Sequence, residues 1–108
     1  MSAPFVTQLR TRGAAIQMAA PGTEIITVRV EMPEVWDVVR VVVAPSEPLL
    51  GLKVRALAAL YPNGEFHDEF VMKLRGFEVL DENASLSSIG AVDGSIFLLT
   101  HRRRRAVR

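Results

Sequence analysis

Between residues 24 and 101 the apolar residues change period in a set order, and that order constrains the fold more than any single motif. Glu24 to Met32 alternates: Ile26, Val28, Val30 and Met32 share one face and Thr27, Arg29 and Glu31 the other, as in a half-buried strand. Met32-Pro33-Glu34-Val35 supplies a turn, and Trp36 to Val43 reads as a second strand dense in β-branched residues. Strands joined this tightly pair as an antiparallel hairpin. A helical period follows. Pro45-Ser46-Glu47-Pro48 opens it, with Ser46 the expected N-cap, and Pro62-Asn63-Gly64 stops it after Tyr61. Leu49, Leu52, Ala56, Ala59 and Leu60 form its apolar face, widened by Leu50, Val54, Leu57 and Tyr61. Phe70 to Arg75, the short Phe77 to Leu80, and Ser95 to His101 then read as further strands. They are separated by Gly76, by Asp81-Glu82-Asn83 with a helical turn at Leu86 to Ile89, and by Asp93-Gly94. One helix within a run of strands predicts an α+β domain, a mixed sheet of four to five strands crossed by one helix.

Absences narrow the chemistry. With 108 residues, 49% hydrophobic and 23% charged, the chain is sized and composed for one globular core. It has no cysteine, which removes disulfides, thiolate metal sites and a sulfur nucleophile. No apolar run approaches the roughly 18 residues of a membrane span. There is no nucleophile-base pair, phosphate-binding glycine loop or metalloprotease helix, so no catalytic residue, cofactor or metal is expected. His67 lies among Glu65, Asp68 and Glu69 without ordered ligand spacing, and reads as part of a solvated acidic loop.

The charge is divided. Five of the thirteen basic residues, Arg102, Arg103, Arg104, Arg105 and Arg108, fall in the last seven positions; the other eight face twelve acidic residues, a net −4 for the rest of the chain. Residues 1–23 hold Arg10 and Arg12, no acid, and end at Pro21-Gly22. The organisation expected is a flexible arm over 1–23, a domain over 24–101 and a basic tail over 102–108. The arm also has the arginine-containing, acid-free composition of a mitochondrial transit peptide, but its apolar spacing is only loosely helical, and cytoplasmic residence is the expectation.

Several short runs resemble a known family. Met72-Lys73-Leu74-Arg75-Gly76, Leu80-Asp81-Glu82, Ser85-Leu86-Ser87, Ile89 and Gly94-Ser95-Ile96-Phe97-Leu98-Leu99 resemble the second half of the ubiquitin-like β-grasp superfamily. Ala44-Pro45-Ser46-Glu47 and Leu52-Lys53 resemble its first half. The likeness spans Glu24 to His101. Within it, Ser85 to Gly90 followed by Asp93-Gly94-Ser95 resembles the small bacterial ubiquitin-like proteins associated with type VII secretion. Lys53 sits within the apolar arc of the helix, where an ammonium needs a partner or a path to water. The resemblance implies a structural pair with Asp81 or Glu82. It also implies a conjugated modifier or sulfur carrier only where a chain ends in Gly-Gly. Here the last residues are Arg104-Arg105-Ala106-Val107-Arg108 and the last glycine is Gly94, so neither role is expected. The central isoleucine of the receptor-binding patch of ubiquitin corresponds to Lys73.

Alternation places Val38, Arg40, Val42, Val71, Lys73, Phe97 and Leu99, with Arg29 and Trp36, on the open face of the sheet. A mixed apolar and basic face of this kind suits a protein partner; the bland alternative is that the arm folds over it, or that Trp36 only closes the hairpin. The arginine tail suits phosphate, anionic lipid or an acidic protein surface, or is merely solvated, and it lacks the interleaved aromatics that stack on nucleic-acid bases. The expectation is a non-catalytic protein-protein interaction module, an accessory of a larger assembly, with secretion as one setting. The alternative is a tail-mediated binder of nucleic acid or anionic membrane.

Overall fold

The computed structural model describes residues 15–62 and 67–102. In chain order these form β1 (Ile16–Gln17), β2 (Ile26–Met32), a 3₁₀ turn (Pro33–Val35), β3 (Asp37–Val43), α1 (Leu49–Leu60), a second 3₁₀ turn (His67–Glu69), β4 (Phe70–Leu74), β5 (Phe77–Glu78) and β6 (Ile96–His101). One six-stranded sheet has the order β1-β3-β2-β6-β4-β5. β2 pairs antiparallel with β3 and parallel with β6, and β4 pairs antiparallel with both β6 and β5. The α1 crossover connects the hairpin to the far side of the sheet, and β6 returns to fill the centre between β2 and β4.

The alternation read along β2 is the alternation observed: Ile26, Val28, Val30 and Met32 are buried. They pack with Val39, Val41 and Val43 of β3 against Leu49, Leu52, Ala56, Leu57 and Leu60 of α1. Phe70, Met72 and Leu74 of β4 and Leu86 of the loop complete this core. Burying a side chain of this size is worth about 1.5–3 kcal/mol, so the single helix-sheet layer carries most of the stabilisation.

Four features depart from the expectations. First, residues 15–23 are not all free arm: Ile16–Gln17 adds a sixth strand parallel to β3, and Ile16 and Met18 pack against the core. The hydrogen bonds that hold it run to β3, with Met18 N–H donating to Val42 O at 2.8 Å. Residues 1–14 lie outside the described residues. Second, Trp36 does not begin the strand. It terminates the 3₁₀ turn in a left-handed conformation, φ 55°, donating its N–H to Pro33 O at 3.1 Å.

Third, Ser46 is not the helix cap. The first residue before the helix is Pro48, which has no side-chain cap, and the free N–H groups of Leu49 and Leu50 donate to Ala84 O (2.9 Å) and Glu82 O (2.7 Å). The loop 82–87 lies across the helix entry and does the capping, with Leu86 N–H donating back to Glu47 O. Fourth, β6 presents the opposite parity. Phe97 and Leu99, expected on the open face, are 0% exposed and belong to the core; Ile96, Leu98 and Thr100 point outward.

The β4-β5 turn has two successive positive φ angles, Arg75 at 54° and Gly76 at 85°, the geometry of a tight hairpin whose twist matches its strands. A Cβ on Gly76 would meet nothing within 4 Å, so only backbone strain opposes a side chain there. Gly76→Ala should therefore cost about 1 kcal/mol, read from the urea midpoint of the pure variant, with no change in the slope of the transition.

Candidate docking face

The face of the sheet opposite α1 is built from the odd-numbered residues of β2. Arg29 N–H donates to Ser95 O at 2.9 Å, so the odd residues direct their backbone bonds toward β6 and meet β3 in non-hydrogen-bonded pairs. Such pairs bring side chains closest together. They are Thr27 with Val42, Arg29 with Arg40, and Glu31 with Val38. Across β6, Ile96 lies beside Arg29, Leu98 beside Glu31 and Lys73, and Thr100 beside Val71.

Of the residues expected on this face, Val38, Arg40, Val42 and Lys73 are there and reach solvent. Val71 is on the face but buried, in a hollow of about 230 Å³ shared with Lys73, Glu78, Thr100, His101 and Arg102. Phe97 and Leu99 are replaced by Ile96, which is exposed, and Leu98, which is half-buried. Both faces of β6 are apolar, so periodicity alone did not assign them. The neighbouring rows carry the signal: in a parallel pair with β2, the small and polar Thr100 matches the polar row of Thr27, Arg29 and Glu31.

The charge on this face is mixed. Arg29 and Glu31 approach at 3.7 Å with both side chains about half in water, an ion pair of little energetic weight. Arg29 and Arg40 are like charges in direct register, an arrangement that costs stability on a sheet. Arg102 reaches Glu78 at 3.5 Å and donates its backbone N–H to Glu69 O at 2.7 Å, which fixes where the basic tail leaves the sheet. Arg103, Arg104, Arg105 and Arg108 lie outside the described residues, as does Glu65 of the acidic loop.

Trp36 stands at the hairpin end of the same face and is 93% exposed. Beside it a groove of about 460 Å³ is lined by Glu31, Met32, Pro33, Asp37 and Val38. The turn that carries Trp36 is clasped to β6 through Glu34, a residue the sequence pattern did not single out because it follows no period. Thr100 Oγ1 donates to Glu34 Oε2 at 2.5 Å, and His101 N–H donates to the same oxygen at 2.9 Å. Partial burial pushes the Glu34 carboxyl up, but these two hydrogen bonds and the nearby His101 outweigh it, and the net position is below the ordinary value of 4.5.

A carboxyl depressed on folding stabilises the native state above its unfolded pKa and loses that contribution as pH falls through its folded pKa. Wild type should thus be more stable than Glu34→Gln at neutral pH, and the difference should begin to shrink as pH falls to about 4.5 and vanish only once pH has dropped below the lowered folded pKa. Urea midpoints of both proteins between pH 7 and pH 3 measure it.

The buried lysine has its partner. Lys53 is 0% exposed, and its Nζ donates to Glu82 Oε2 at 2.8 Å and Oε1 at 3.0 Å. Asp81, the other candidate, instead accepts the Asn83 N–H at 3.1 Å and turns the loop. The pair joins α1 to the loop that caps it. Among the described residues no group of three or more histidine, aspartate or glutamate side chains is placed to hold a metal ion. No helix among them is long and apolar enough to cross a membrane.

This arrangement of one helix and one mixed sheet is the ubiquitin-like fold. The ubiquitin-like domain of an Arabidopsis thaliana protein superposes with a TM-score of 0.63 at 19% identity, covering 83% of this chain and 92% of that one. Ubiquitin of Caldiarchaeum subterraneum superposes with a TM-score of 0.62 at 18% identity, covering 77% of this chain and all of its own. The ubiquitin-like domain of Plasmodium falciparum Dsk2 gives 0.62 at 19% identity, over 73% of this chain and 100% of that domain. No protein-family model and no curated protein matches the sequence. At these identities the shared property is the fold.

Proposed function

We propose that this chain is a non-catalytic ubiquitin-like interaction module that docks onto a protein partner through the open face of its sheet. The observation that carries this reading is the composition of that face. Apolar Val38, Val42, Ile96 and Leu98 alternate with Arg29, Arg40 and Lys73, and an almost fully exposed tryptophan stands at one end. Tryptophan and arginine are the residues around which binding energy concentrates. A solvated sheet face with no partner more often carries polar residues throughout.

The partner belongs to a larger assembly in the cytoplasm, of which this module is an accessory; the resemblance of Ser85 to Gly90 and Asp93 to Ser95 to secretion-associated bacterial proteins makes a secretion assembly the leading setting. The arginine tail, leaving the sheet beside Glu78, adds long-range steering toward acidic surface on that partner.

Affinity capture from native lysate at low and high salt tests this, using wild type, the chain lacking residues 103–108, and the substitutions Lys73→Glu and Leu98→Asp. The expected result is one protein partner retained in high salt by wild type and by the truncated chain, and lost by both substitutions. Recovery of nucleic acid or lipid alone, abolished by salt or by truncation, would instead make the tail the functional element and overturn the docking face.

A further inference from the structure

We propose that the hollow beside Lys73 on the open face receives the side-chain carboxylate of a glutamate of the docking partner. It rests on the docking reading above and gives the chemistry of one contact within it. Three observations lead there.

Lys73 is a cation without an anion. The chain has two lysines, and the other, Lys53, is fully enclosed against Glu82. Lys73 is half-buried, and among the described residues its ammonium makes no hydrogen bond and no ion pair. The acid paired with it in register, Glu78 of β5, is turned instead to Arg102 at 3.5 Å. An ammonium that has given up part of its hydration without a counter-charge gains most from an incoming carboxylate.

The hollow suits a glutamate side chain. Its volume of about 230 Å³ joins that cation to Val71, which is 4% exposed, and to Thr100, His101 and Arg102. The two methylenes of a glutamate match the apolar Val71 while its carboxylate meets Lys73. His101 adds a donor on a ring that is held in place. The imidazole stands edge-on to the buried Phe70, centroids 4.3 Å apart and planes at 90°, and among the described residues neither ring nitrogen has a hydrogen-bond partner. A neutral imidazole still carries one N–H to donate. Glu34, its acidic neighbour, is already engaged by Thr100 and by the backbone N–H of His101.

The tail supplies the approach. Arg102 lines the hollow, its backbone is fixed to Glu69 O at 2.7 Å, and the chain continues as Arg103, Arg104 and Arg105. Residues 24–101 hold six basic residues against twelve acidic ones, so the positive charge of the chain gathers at this end. Long-range attraction then brings an acidic segment here in preference to the rest of the domain. Arg102 itself is engaged by Glu78 and by Asp68 O at 3.3 Å, and the seat does not require it.

The probe is a blocked pentapeptide, acetyl-Gly-Leu-Glu-Leu-Gly-amide, compared with the same peptide carrying glutamine, the uncharged isostere, at its centre. Both are titrated into the isotope-labelled full chain and followed by amide shifts. The glutamate peptide should give saturable shifts centred on Val71 to Lys73, Glu78 and Thr100 to Arg102, and the glutamine peptide should bind about tenfold more weakly. Lys73→Met keeps the length of the stem and removes the charge. It should bring the glutamate peptide down to the affinity of the glutamine peptide and leave the latter unchanged. The chain lacking residues 103–108 should still prefer glutamate.

Equal binding of the two peptides, no saturable change, shifts centred elsewhere, or a preference that survives in Lys73→Met would overturn the assignment. So would a preference that disappears with residues 103–108, since the tail would then be the acceptor. The two readings fail separately. Loss of the glutamate preference while Leu98→Asp still abolishes partner capture removes this inference and leaves the docking face; loss of both removes both.

Discussion

Glu82→Ala should destabilise the domain by about 3 kcal/mol, the lower end of the cost of breaking a buried ion pair by removing one partner. Lys53 Nζ is wholly enclosed and donates two hydrogen bonds to the Glu82 carboxylate. Truncating Glu82 leaves an ammonium in the core with no anion beside it. The lower end applies because Glu82 is itself 21% exposed, so water can enter where its side chain was. The reciprocal change behaves differently. Lys53→Met keeps the length and apolar contacts of the stem and strands only a carboxylate that already touches solvent, so its cost should stay within about 1 kcal/mol. Chemical unfolding of the two variants and of the double variant reads this asymmetry directly; equal costs for the two single changes would show that the pair is not buried as described.

Phe97→Ala should cost about 3–5 kcal/mol, against about 1 kcal/mol or less for Leu98→Asp one position along. Phe97 is 0% exposed and packs in the layer between sheet and helix, so its loss leaves a cavity the size of a ring. Leu98 is half-buried on the outer face between Glu31 and Lys73, where an aspartate remains hydrated and has one anion and one cation neighbour whose effects oppose. A domain of this size has about 5–15 kcal/mol of stability in total, so Phe97→Ala removes a large part of it and Leu98→Asp almost none. Binding should respond in the opposite order, with Leu98→Asp losing the partner while remaining folded. Thermal and urea unfolding of the pair settles which parity β6 adopts.

That parity is where periodicity stopped being informative. On β2 the two rows differ in polarity, so Ile26, Val28, Val30 and Met32 identify themselves as core. On β6 the residues Ile96, Phe97, Leu98 and Leu99 are all apolar, and a shift of one residue exchanges the faces without changing the pattern. The helix was legible because prolines bracket it and its wheel is clean, yet its cap was not, since the groups that satisfy Leu49 and Leu50 come from a loop more than thirty residues further on. Lys53 announced a partner by lying within an apolar arc; the choice of Glu82 over Asp81 depended on which side of one turn faces the helix. β1 has two residues, too few to show any period, and it exists because β3 offers an edge. Trp36 read as the start of a strand because the residues after it are β-branched, while its own left-handed backbone is dictated by the preceding proline turn.

The central claim, that the open face of the sheet is the docking surface, is tested most directly by backbone amide exchange on the isotope-labelled full chain, free and bound to the partner captured from lysate. Added protection should fall on Thr27 to Glu31, Asp37 to Val42, Met72 and Lys73, and Ile96 to Thr100, with Trp36 among the most affected. Protection confined to the outer side of α1 around Val54 and Arg55, or to the residues after His101, would contradict it.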